Sequence, residues 1–109
     1  MRLAVASTDG KLIDQHFGQA VRFLIYEVTD GESRFVEERS VERFCTDKVE
    51  HLYEKARLDN AYSVMKDCSY LLCSMIGPIP QEELEKRGIK SYVLYDLIEN
   101  AIKNLINVT

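Results

Sequence analysis

Apolar residues fall along this chain in short continuous runs and in helically spaced stripes, and the two patterns predict different elements. Leu3 to Ala6 is an unbroken apolar run ended by Ser7-Thr8-Asp9-Gly10, which predicts a strand buried on both faces. Arg22 to Val28 (RFLIYEV) is rich in β-branched and aromatic residues, and Ser33 to Ser40 alternates. Between them stands Thr29-Asp30-Gly31-Glu32, and Asp-Gly is a strong two-residue hairpin turn, so the pair is expected as an antiparallel hairpin.

After Cys45 the pattern changes. Asp47 with Glu50 three residues on fits a capping box, and Val49, Leu52, Tyr53 and Ala56 follow at helical spacing. Ala61, Val64 and Met65 resume the stripe out of phase near Asp59-Asn60, which fits one bent helix or two short ones. Tyr70 to Met75 is a second continuous apolar run, expected as a central strand. Gly77, Pro78 and Pro80 break it. Gln81 to Arg87 is a charged helical segment, with Gly88 where a helix-terminating glycine belongs. Lys90 to Tyr95 reads as a strand, and Asp96 with Glu99 as another capping box. Ile98, Ala101, Ile102 and Leu105 form the apolar stripe of a closing helix. The order β-β-β-α-β-α-β-α places parallel βαβ crossovers after an antiparallel hairpin. An α/β domain is expected, a mixed β-sheet with helices on both faces.

Composition narrows the function. At 109 residues a single domain over 1–109 is expected, large enough for one core. The formal charge is −4, from 14 basic and 18 acidic side chains well mixed along the chain. No basic face is offered to phosphates, so no nucleic-acid partner is expected. Neither a membrane-spanning stretch nor a secretory leader is read from the sequence. Three cysteines without a leader suggest free thiols in a cytoplasmic protein.

Candidate chemistry begins in the long polar loop after the first strand, at Asp14-Gln15-His16-Phe17-Gly18. Loops of this length in a small domain are commonly functional. His16 offers an imidazole nitrogen to a metal or an anion, and Gly18 lets the backbone turn closely. The same histidine could instead tie the loop to itself. Cys45, His51, Cys68 and Cys73 match no zinc spacing. Cys45 is placed at a helix N-terminus, where a thiol ionises more readily. Cys68 precedes a strand and could be ligand or core, Cys73 reads as a buried small hydrophobe, and His51 as a solvated or core residue. Ile76-Gly77-Pro78-Ile79-Pro80 joins strand to helix, but its prolines remove donors an anion would need. Nucleotide fingerprints and a Gly-x-Ser-x-Gly elbow are absent. Asp9, Asp14 and Asp96 could gather at strand ends around magnesium, as in a two-metal hydrolase.

Three stretches carry a resemblance. They are Ala4 to Asp9 with Asp14-Gln15-His16-Phe17-Gly18 and Arg22-Phe23-Leu24-Ile25-Tyr26; Asp67-Cys68 through Leu72-Cys73 to Ile76-Gly77-Pro78; and Leu84 with Gly88-Ile89. In combination they resemble the dinitrogenase iron–molybdenum cofactor biosynthesis family of the NifX, NafY and NifB C-terminal domain type. The resemblance implies a ribonuclease-H-like topology and no catalysis. It implies a carrier that transiently binds an iron–sulfur cluster or iron–molybdenum cofactor precursor among nitrogenase cofactor assembly proteins. It makes His16, within His16-Phe17-Gly18, the primary metal contact. Phe44-Cys45 resembles a Tyr-Cys of nitrogenase-linked members, which makes Cys45 a second ligand and Cys68 a third candidate. The competing expectation is a metal-free regulatory or interaction module of the same fold. It would meet its partner through the helix Gln81 to Arg87 and the hairpin Arg22 to Ser40.

Overall fold

Asp30 and Gly31 both take positive φ, 54° and 79°, as a two-residue type I′ turn requires. Thr29 and Glu32 pair across this turn, so the expected hairpin forms as β2 (Arg22–Thr29) and β3 (Glu32–Ser40). The structure is a computed structural model that describes the backbone of residues 1–41 and 50–108, and within them the side chains of 1–41 and 58–107. The remaining described elements are β1 (Arg2–Val5), a 3-10 turn (Phe17–Gln19), α1 (Glu50–Met65), β4 (Tyr70–Cys73), α2 (Pro78–Lys86), β5 (Lys90–Val93) and α3 (Ile98–Val108). Cys45 and Asp47 lie outside the described residues, and with them the first capping box.

The strands form one five-stranded sheet in the order β3-β2-β1-β4-β5. β2 is antiparallel to both its neighbours, while β1–β4 and β4–β5 are parallel. The mixed sheet and its helix-covered faces match the expected α/β class. Successive side chains of a strand point to opposite faces, which explains the continuous apolar runs. Ala4, Ala6, Phe23, Ile25, Leu71 and Cys73 face Leu58, Ala61 and Met65 of α1 and Leu84 of α2. Leu3, Val5, Leu24, Val28 and Leu72 face Ile98, Ala101, Ile102 and Leu105 of α3. The edge strand β3 is mostly exposed and charged, and a bulge shifts its register against Ile25/Tyr26. Both features discourage further strand pairing.

One point left open between one bent helix and two short ones is settled, and other boundaries differ from the sequence reading. The stretch around Asp59-Asn60 lies within a single helix, α1. α2 begins at Pro78, with Gly77 as its N-cap. A proline in the first helical turn lacks only an N–H that has no intrahelical partner there, so it starts the helix rather than preventing it. Asp96 does not cap α3: its carboxylate accepts from the N–H of Leu97 at 2.7 Å, and the Leu97 carbonyl receives Ala101. The strands read as ending at Met75 and Tyr95 end at Cys73 and Val93. Gly88 terminates α2 as expected, at φ 91°. Its N–H reaches Glu85 and that of Ile89 reaches Leu84, a Schellman motif whose Leu84 and Ile89 are both buried.

Candidate functional site

The polar loop between β1 and β2 folds onto the C-terminal ends of the parallel strands. Asp9 builds its first turn by accepting from the N–H groups of Lys11 (2.8 Å) and Leu12 (3.0 Å). Those bonds hold its carboxyl below the usual value. Asp14 closes the turn by accepting from the Thr8 N–H (2.9 Å) and the Thr8 hydroxyl. The loop is then sewn to its neighbours by backbone bonds. Ile13 donates to Asp96 and Ile98 to Lys11, while Ser74 donates to Gln15 and Phe17 to Met75, at 2.8–3.1 Å. Two isolated bridges, Leu12 with Leu97 and His16 with Met75, sit within this stitching.

His16 is therefore held on a fixed backbone. The next residue, Phe17, is 3% exposed and packs near Phe23, ring centroids 6.2 Å apart. His16 itself is exposed and precedes the 3-10 turn, yet its imidazole makes no capping bond to it. The self-tying role considered for this histidine is thus not one its side chain performs at that turn. Gly18 is exposed beside it, with open space where a Cβ would stand. A shallow groove of about 180 Å³ opens next to this loop, lined by Ser7, Thr8, Gln15, Val21 and Arg22. The Arg22 guanidinium is engaged by the Thr8 carbonyl and by Glu38 at 2.8 Å.

Cys68 lies elsewhere. It stands just before β4, whereas His16 is in register with Met75 just after it. At a strand rise of about 3.3 Å per residue the two are roughly 20 Å apart, so the structure does not bring them together. Cys68 is buried among core residues, and its thiol is pushed up to about 12 by burial and then by the neighbouring Asp67 carboxylate. Asp67 belongs to an ion-pair cluster. It meets Arg39 at 2.6 Å and Arg2 at 2.8 Å, and the Arg39 guanidinium holds its carboxyl well below the usual range. Cys73 is wholly buried, as expected, and burial pushes its thiol up to about 11. His51 lies on α1.

Asp9 and Asp14 are occupied in shaping the loop and Asp96 in holding Leu97. Among the described residues no three His, Cys, Asp or Glu side chains converge as metal ligands. The strand-to-helix connection at Gly77 offers few donors to an anion, since Pro78 and Pro80 have none and Gln81 donates to Gly77. On α2, Lys86 pairs with Glu82 and Glu83, and Arg87 with Asp59.

Sequence reasoning missed a set of exposed apolar side chains at the same end of the sheet as His16. Met75, Ile79, Val93, Tyr95 and Leu97 are each about half exposed or more. Met75 and Tyr95 were counted into strands, where alternation would have buried or paired them. The sequence carries no signal for them, because where each strand stops pairing, at Cys73 and Val93, is set by the sheet.

The profile of the family described as dinitrogenase iron-molybdenum cofactor matches residues 1–108. The FeMo cofactor biosynthesis protein NifB of Frankia alni is 38% identical over 103 residues, covering 94% of this chain and 20% of that protein. NifB of Azotobacter vinelandii is 38% identical over 88 residues, covering 81% and 18%. The chain thus spans about a fifth of the length of these relatives. Among solved structures, PH0822 superposes with a TM-score of 0.73 at 22% identity, covering 100% of this chain and 93% of that one. A Methanocaldococcus jannaschii protein gives 0.61 at 17% identity, covering 99% and 89%. No helix among the described residues is long and apolar enough to cross a membrane. The full-length profile match and the NifB relatives agree with the motifs around His16 and Gly77: the chain belongs to the dinitrogenase iron–molybdenum cofactor family.

Proposed function

We propose that this chain is a non-catalytic carrier domain that takes up and hands on an iron–sulfur or iron–molybdenum cofactor precursor among nitrogenase cofactor assembly proteins. The observation that carries the reading is the state of His16. Its backbone is fixed by the Phe17 anchor and the loop stitching, and its imidazole is exposed and caps nothing. Imidazole is a competent iron ligand, and one or two protein donors on a cluster permit release, where four thiolates would retain it. Cys45 is the second donor in this reading. The exposed apolar side chains beside His16 supply a surface on which a cargo or an acceptor protein can rest. The relatives named FeMo cofactor biosynthesis proteins support the cargo class.

The test is anaerobic gel filtration of the chain mixed with isolated cofactor precursor, following iron and visible absorbance. Iron co-eluting with the wild-type chain and separating from a folded His16→Ala variant is the expected result. Equal retention by the variant would remove His16 from the site, and clean separation from the wild type would remove the cargo.

A further inference from the structure

We infer that Met75 is a further metal-contacting residue, standing with His16 as an adjacent donor pair at an open site for a soft or borderline metal centre. The inference rests on the carrier reading and adds to it a residue and a preference. His16 and Met75 are bridged in parallel register, and Phe17 N–H donates to the Met75 carbonyl at 2.9 Å. Strand-like pairing of this kind brings the two backbones within about 4.8 Å. Both side chains are exposed, Met75 by 55%. Both backbones are pinned on either side. Phe17 is buried after His16, and Cys73 is buried before Met75 while Ile76 packs on the core after it. Two donors thus stand side by side on rigid supports with their side chains at liberty.

The donor chemistry selects the ligand. Neutral imidazole and thioether add no charge, and a thioether has nothing to offer magnesium or calcium. Together they suit iron of a sulfide cluster or a monovalent coinage metal, and with no third converging donor among the described residues the site stays open to exchange. Cys68 is buried and lies at the far end of β4, and Cys73 is fully buried. Neither competes for a metal at this rim.

The probe is Cu(I), titrated anaerobically against a competing chelator into a chain carrying Cys45→Ser, so that the only thiols left are the two buried ones. The ε-methyl of Met75, assigned by its loss in Met75→Leu, is followed by NMR. Expected is a shift of that methyl on Cu(I) addition, and an affinity at least about tenfold weaker in both Met75→Leu and His16→Ala. An unmoved Met75 methyl at saturation, or Cu(I) held as tightly by Met75→Leu as by its parent, overturns the inference. The same variants mixed with isolated iron–sulfur precursor separate the two claims. Precursor lost by His16→Ala but kept by Met75→Leu ends the pair and leaves the carrier reading intact. Precursor kept by both variants ends the pair and removes His16 from the site, whereas precursor not held by the parent chain ends the carrier reading itself.

Discussion

At the N-terminal end of β4 the Cys68 thiol is buried beside an Asp67 carboxylate that Arg2 and Arg39 hold ionised. At the C-terminal end Met75 and its bridged neighbour His16 reach into solvent from a backbone that is equally well fixed. One end uses its polar and sulfur groups to close the structure, tying the edge strand β3 to the turn before β4 through Arg39. The other leaves them uncommitted. Residue type does not distinguish the ends, since a thiol is the stronger metal ligand of the two sulfurs. Burial and charge do, because a thiol kept protonated is a poor ligand.

The largest effect expected from this contrast is in thiol reactivity. Cys68 and Cys73 are pushed up to about 12 and about 11 from 9.0. At pH 8 their thiolate fractions in the native state should be lower by about a hundredfold or more than in the unfolded chain. A Cys45→Ser chain should therefore scarcely react with a thiol reagent until denaturant is added, when two thiols should appear. Fast native labelling of either would break the contrast. The sign for stability follows. Both groups have folded values above their unfolded one, so their contribution is complete below about pH 9 and drains as pH rises through 11 to 12. An alkaline melt should show the loss.

Next in size is the anchor of the exposed end. Phe17→Ala should cost about 3 kcal/mol through its lost burial and the cavity left near Phe23, read as a lower denaturant midpoint at unchanged slope. A smaller loss would mean that the loop is less firmly seated than its hydrogen bonds indicate. Asp67→Asn should cost less, about 1 kcal/mol, because the Arg39–Asp67 pair is partly exposed and solvent screens it. The folded carboxyl is lowered, so its stabilisation is present above the ordinary carboxylate pKa and lost as pH falls through the folded value. The wild type should lose stability in acid faster than the variant, and identical acid melts would remove the cluster's role. Smallest of all, His16→Ala and Met75→Leu should each move stability by no more than about 0.5 kcal/mol. A larger cost would make these side chains structural and the two ends of β4 alike.

The parts of the fold legible in sequence were those set by local chemistry. Asp30-Gly31 demands its turn, Gly88 its helix end, and the α3 stripe its single buried face. The misread boundaries at Pro78 and Asp96 are also local, but there one residue type serves two purposes. Proline both breaks and begins helices, and Asp96 turns its carboxylate to the next N–H rather than to the third. His16 was legible as a candidate because it sits in a long polar loop. Its nearness to Met75 and its distance from Cys68 were not, since both depend on where that loop crosses the sheet. Met75 was hidden by its surroundings, since a methionine ending an apolar run reads as core.

The loop stitching has a consequence for motion. Residues 11–17 are bonded to the β4–α2 connection through Gln15 and Phe17 and to the β5–α3 connection through Lys11 and Ile13. Opening one seam strains the other, so the amide protons of Ile13, Phe17, Ser74 and Ile98 should exchange with solvent as a single cooperative unit. The exposed side chains of His16 and Met75 should then change rotamer on a picosecond-to-nanosecond scale, long before the rim beneath them comes apart.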